Sequence, residues 1–132
     1  MSAVALLDTS IFVAQEVGRV VDATSLPDEG SVSVVTIAEL EACVLAAADV
    51  VTRARRAKTA RLANELAPLP ITPDVAHMWA QMRVMVAQAQ RRINVNDLWI
   101  AATAAVHGMP VCTLDDGFDV LAELELVEVL KL

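Results

Sequence analysis

The chain has 132 residues, a formal net charge of −7 and a hydrophobic content of 56%. Residues 1–132 are read as a single domain, long enough for a real core and too short for two ordinary ones. The negative charge argues against a general nucleic-acid coat protein, and the apolar excess over the usual ~45–50% predicts a homodimer or a permanent partner covering part of the surface.

Ala3 to Leu7 is an unbroken apolar run, as expected of a strand buried on both faces, and Asp8, Thr9 and Ser10 then open a helix through Ile11, Phe12 and Val13. Asp8 has an ordinary use there as the N-cap. Pro27, Asp28, Glu29 and Gly30 mark a loop over Leu26–Ser31, with a second strand expected over Val32–Val35. A helix follows from Thr36, carrying Ile37, Leu40, Val44, Ala47 and Val51 on one stripe, and Thr36 with Glu39 fits a capping box. Glu39, Glu41 and Asp49 interrupt the apolar stretch from Val32 to Val51, so no membrane span is expected. No basic segment precedes Val4–Leu7 as an export signal would require, and the expected location is the cytoplasm.

The next helix, Thr52 to Leu66, carries a basic patch of Arg53, Arg55, Arg56, Lys58 and Arg61, with Arg91 and Arg92 as a second patch. A basic rim near an acidic centre suits a polyanion, although for the middle patch alone a solvated helix face is the better reading. Leu69–Ile71 is a candidate short strand, and Pro73 sits well at the first position of a helix reaching about Gln90. Its stripe of Val75, Met78, Trp79, Met82, Val86 and Ala89 reads as core or dimer interface. Residues Ile93–Asp97 open a helix over Leu98–His107 that ends at Gly108, with Asp97 leading an alanine-rich face. Asp97 also suits the helix dipole in that place. Val111–Thr113 is a short buried strand running into an acidic turn, Phe118–Leu121 a helical turn, and Leu126–Leu130 an edge strand. Cys43 and Cys112 read as small core hydrophobes, and His77 and His107 as structural, because none has a partner at metal-ligand spacing.

This alternation of strands and helices predicts an α/β fold of three layers, α/β/α, around a central parallel sheet of four to five strands. In such a sheet ligands sit outside the carboxyl ends of the strands. Asp8 and Asp115 follow strands, while Glu39 and Asp97 occupy first turns of helices, so all four belong at the same end. Two carboxylates ~4 Å apart repel by about 4 kcal/mol at an effective dielectric near 20, which calls for a counter-ion. Oxygen-only ligands suit Mg²⁺ or Mn²⁺ better than zinc. A hard cation with open positions binds phosphate oxygens and activates water, making phosphodiester hydrolysis the natural reaction class.

Four segments, Leu6-Leu-Asp-Thr-Ser10, Val35-Thr-Ile-Ala-Glu-Leu40, Asn96-Asp-Leu-Trp-Ile-Ala-Ala-Thr103 and Thr113-Leu-Asp-Asp-Gly-Phe118, together resemble a PIN domain, in particular the VapC family of bacterial toxin ribonucleases. The resemblance implies a PIN-like fold and a metal-dependent endoribonuclease that cuts structured RNA such as tRNA or rRNA. It also implies a dimer, silenced in a hetero-oligomer by a cognate VapB-type antitoxin. Carried onto this chain, it makes Asp8, Glu39, Asp97 and Asp115 the catalytic ligands of Mg²⁺ or Mn²⁺, with Asp116, and alternatively Asp119, as a further metal ligand. Ser10 and Thr113 match hydroxyls near the site and Asn96 a supporting partner. With no Tyr and only two Phe and two Trp, base stacking has little to offer. RNA shape and phosphates are then what the basic rim would meet. The alternative from another class is a catalytically silent PIN-fold module that acts by holding protein partners. A phosphatase working through Asp8 fits less well, because Ser10 stands where a second acid is wanted.

Overall fold

A computed structural model describes residues 4–19 and 26–132. Four strands, β1 (Val4–Leu7), β2 (Glu29–Ser31), β3 (Val111–Thr113) and β4 (Val129–Lys131), form one parallel sheet in the order β2-β1-β3-β4. Six helices accompany them among the described residues: α1 (Thr9–Glu16), α2 (Val34–Leu45), α3 (Val50–Asn64), α4 (Pro73–Gln88), α5 (Val95–Val106) and α6 (Asp119–Glu123).

Alternation along the strands divides the core. Leu6 and Val111 pack with α4 and α5 through Val75, Met82, Val86, Leu98 and Ile100, while Ala5 and Cys112 face the other way onto Ile11 of α1. Helix α5 lies close against the sheet because Ala101, Ala102 and Ala104 are fully buried and project almost nothing. A third cluster, Phe12, Val32, Leu40, Ala60 and Ala63, joins α1 to α2 and α3. The result is the expected three layers, with a sheet of four strands.

Several boundaries differ from those expected. Ala3 lies outside the described residues, and β1 starts at Val4. The second strand is not Val32–Val35 but Glu29–Ser31, a polar segment that serves because it pairs on only one side, with β1. Val34 and Val35 instead begin α2, whose N-cap is Ser33, its side chain accepting from the amide of Val35 at 3.0 Å. Thr36 therefore caps nothing, and the capping-box explanation of Glu39 falls away. Helix α2 ends at Leu45, α3 begins at Val50 behind the cap of Asp49, and Val51 is exposed. Leu69 makes only a single bridge, to Ser33, rather than a strand. Helix α4 starts at Pro73, capped by Thr72, but stops at Gln88, and Gln90 turns the chain with φ of 58°. The last strand begins three residues later than expected, after Glu125 takes a left-handed φ of 57°. Cys43 is exposed on α2, whereas Cys112 is buried as expected.

Candidate functional site

Strands β1 and β3 are neighbours at the centre of the sheet, and the chain leaves β1 toward β2 on one side and β3 toward β4 on the other. That reversal opens a crevice beyond their carboxyl ends, the usual binding place in a sheet of this kind. Asp8, Glu39, Asp97 and Asp115 all line one cleft there, of about 370 Å³, together with Thr9, Ser10, Val13, Val17 and Arg19. A larger hollow of about 620 Å³ lies on α4, but Met78, Met82, Val84, Met85 and Leu126 give it no acid, base or nucleophile.

Asp8 is the N-cap of α1 and only 3% exposed. Its Oδ2 accepts from the hydroxyls of Ser10 at 2.8 Å and Thr113 at 2.9 Å, and from the Ser10 amide at 3.4 Å. All three bonds fall on one oxygen, so the carboxylate is anchored with Oδ1 not engaged by them. The two hydroxyls also accept: Ser10 Oγ takes the amide of Leu114 at 3.0 Å and Thr113 Oγ1 the amide of Asp115 at 3.0 Å. Ser10 and Thr113 thus splice the start of α1 to the acidic turn.

Glu39 reaches the cleft from α2. Its Oε1 accepts from Thr9 Oγ1 at 2.7 Å, which lies 3.1 Å from the buried Thr36 hydroxyl. Asn96 Nδ2 approaches Oε2 at 3.5 Å, the long limit for a hydrogen bond. Sequence reading passed over Thr9, hidden by its place between Asp8 and Ser10. A threonine opening a helix beside an acid pattern was the available signal.

Asp97 stands in the first turn of α5, which Asn94 caps by accepting the amides of Asn96 at 2.8 Å and Asp97 at 3.4 Å. A carboxylate there should be favoured by the helix dipole. Burial, followed by the charges of Asp8, Glu39 and Asp115, instead pushes its pKa from 3.8 up to about 6. Repulsion and desolvation outweigh the dipole, so favourable placement on a helix does not account for Asp97. The Asp115 carboxyl is also raised, by burial, Asp8 and Asp116, with Arg19 acting against the rise. Arg19 is the second residue the sequence did not single out, because an isolated arginine just past a helix carries no pattern.

Asp116 does not join the cleft. It is 84% exposed and pairs with Lys131 of β4, which also holds Asp119 at 3.0 Å. Lys131, on the neighbouring strand, holds both acids, and neither lines the cleft where the further acid was expected. Among the described residues, no three or more His, Cys, Asp or Glu are gathered tightly enough to hold a metal ion outright. His77 and His107 are exposed and do not line the cleft.

None of the seven basic residues of the expected rim lines the cleft itself. Arg55 pairs with Glu16 at 3.4 Å, and Arg56 donates to the carbonyl of Cys43 at 2.7 Å. Both border a small pocket of about 190 Å³ that shares Val13 and Val17 with the acidic cleft. Arg53, Lys58 and Arg61 continue along α3, while Arg91 is paired to Glu123 at 2.6 Å and Arg92 follows it.

A profile described as PIN domain matches residues 5–124. Ribonuclease VapC5 of Mycobacterium tuberculosis is 44% identical over 129 residues, covering 98% of this chain and 96% of that protein. Ribonuclease VapC4 of the same organism is 37% identical over 125 residues, covering 95% and 96%. The crystal structure of VapBC-5 from Mycobacterium tuberculosis, a member of the VapBC family of toxin-antitoxin systems, superposes with a TM-score of 0.90 at 42% identity, over 98% of this chain and 99% of that one.

Proposed function

The chain belongs to the PIN domain family, and from that membership we propose that it is the endoribonuclease toxin of a type II toxin–antitoxin pair, hydrolysing phosphodiester bonds of structured RNA such as tRNA or rRNA. The observation that carries the reading is the cleft itself, where two acids that follow β1 and β3 meet two from α2 and α5 around one open space. Its donor set is all oxygen, with no His or Cys among the lining residues, and two of its carboxyls are raised by burial and then by neighbouring acids. That chemistry fits Mg²⁺ or Mn²⁺.

Asp8, Glu39, Asp97 and Asp115 are the residues that would hold the ion, directly or through water. Held there, such an ion would supply charge neutralisation for the acids, Lewis acidity toward phosphate oxygens and a more acidic water. The protein's own part is orientation. Ser10 and Thr113 fix Asp8 by one oxygen and leave the other for the ion. Thr9 sets the direction of Glu39. Arg55 and Arg56, one pocket away, would meet the RNA backbone, with Arg53, Lys58 and Arg61 extending that contact.

A VapB-type antitoxin is the partner, and the exposed Val13 and Val17 beside the cleft offer it apolar area. A homodimer in the cytoplasm is the expected working form. Among the described residues no helix is long and apolar enough to cross a membrane. The test is RNA cleavage by the purified chain with Mg²⁺ or Mn²⁺: Asp8→Asn and Asp97→Asn should each abolish it while leaving the fold intact. Undiminished cleavage by folded Asp97→Asn protein would overturn the assignment.

A further inference from the structure

Gly117 lies in the turn between β3 and α6, in a backbone conformation that does not demand glycine, since positive φ among the described glycines is confined to Gly18 and Gly108. What a side chain would meet there is Asp97: a Cβ at position 117 would stand 2.6 Å from Asp97 Oδ2 and 3.7 Å from its Cγ. The first distance is well inside van der Waals contact, so something must move. The turn has little room to retreat. Thr113 before it and Phe118 after it are fully buried and anchor its two ends. The Asp97 carboxylate, at the free end of a side chain with two torsions, is the part able to give way.

We propose that Gly117 is a positioning residue of the acidic site, its missing side chain being the space in which the Asp97 carboxylate stands. The inference rests on reading Asp97 as a metal ligand and adds a residue to that reading. On the cleft side Asp97 is bordered by the other three acids. A methyl group at 117 therefore drives it toward like charges or out of the site altogether. Because the obstructed atom is the end of a flexible side chain, the fold loses little and the site loses a ligand. That separation of effects is the signature to look for.

The experiment is a calorimetric Mn²⁺ titration of the full chain as wild type, Gly117→Ala, Asp97→Ala and the double variant, with metal-free melting of each. Gly117→Ala should melt close to wild type yet bind Mn²⁺ at least about tenfold more weakly, as is typical when support for a ligand is lost. In the Asp97→Ala background the same glycine change should have no further effect, because the atom it displaces is gone. Wild-type Mn²⁺ affinity in Gly117→Ala, or an equal loss in both backgrounds, would overturn the inference. So would a Gly117→Ala chain that fails to fold, because the strain would then lie in the backbone and not in Asp97. Absence of Mn²⁺ uptake by the wild-type chain would bring down the metal-site reading itself and this inference with it.

Discussion

Replacing Asp97 by Asn should stabilise the metal-free protein at neutral pH, and the size follows from its titration. A carboxyl raised from 3.8 to about 6 binds its proton more tightly in the folded chain than in the unfolded one. Stability from this group is therefore fully present below pH 3.8 and is lost as pH rises through about 6. A difference of that size corresponds to about 3 kcal/mol in full. Asp97 is only half-buried, so solvent screening reduces it to ~1–2 kcal/mol. Loss of the attraction between the charged group and the helix dipole, ~0.3–1 kcal/mol, acts against this gain and holds it toward the lower end of that range. For a chain of this length the gain is roughly 3–10 °C in Tm. The assay is thermal unfolding of wild type and Asp97→Asn in chelator at pH 4 and pH 7.5. The variant should lead at pH 7.5, lose most of its lead at pH 4, and fall behind once Mn²⁺ is added, since binding to the folded state stabilises only the chain that keeps its ligand. An advantage undiminished at pH 4, or none at pH 7.5, would refute the reasoning.

Thr113→Val removes a donor to Asp8 and the acceptor of the Asp115 amide inside a buried site, so unfolding by urea should show a loss of ~1–3 kcal/mol. Mn²⁺ affinity of the same variant, measured by calorimetry, should fall about 10–100-fold. Thr9→Val frees Glu39 on one side, and RNA cleavage should slow by about tenfold with a circular dichroism spectrum unchanged. Phe118→Ala empties the centre of the larger core cluster directly beneath the acidic turn and should cost ~3–5 kcal/mol in denaturant unfolding.

Much of the frame was legible because it is written in neighbouring residues. The three-residue strand at Val111, the Thr72-Pro73 start of α4 and the Gly108 end of α5 each follow from a local pattern, and the structure keeps them. The errors came where two local patterns competed. Val32–Val35 has the composition of a strand, but Ser33 offers a cap, and the helix that follows takes Val34 and Val35 into its first turn. The true strand, Glu29–Ser31, carries no apolar signature because an edge position does not require one. At the cleft the four acids could be named from the motifs, while Asp116 was placed among them because sequence adjacency to Asp115 says nothing about which way each points.

Sequence alone determined the alternating α/β order, the apolar stripes that fill the core and the identity of the acids, since periodicity and capping depend on residues a few positions apart. Only the tertiary structure decided that Thr113 reaches Asp8 across 105 positions, that Thr9 holds Glu39, that Lys131 pairs with Asp116 and that Asp97 borrows the space left by Gly117. The physical reason is that hydrogen-bond direction, desolvation and charge repulsion act through distance in space, and strand register sets that distance.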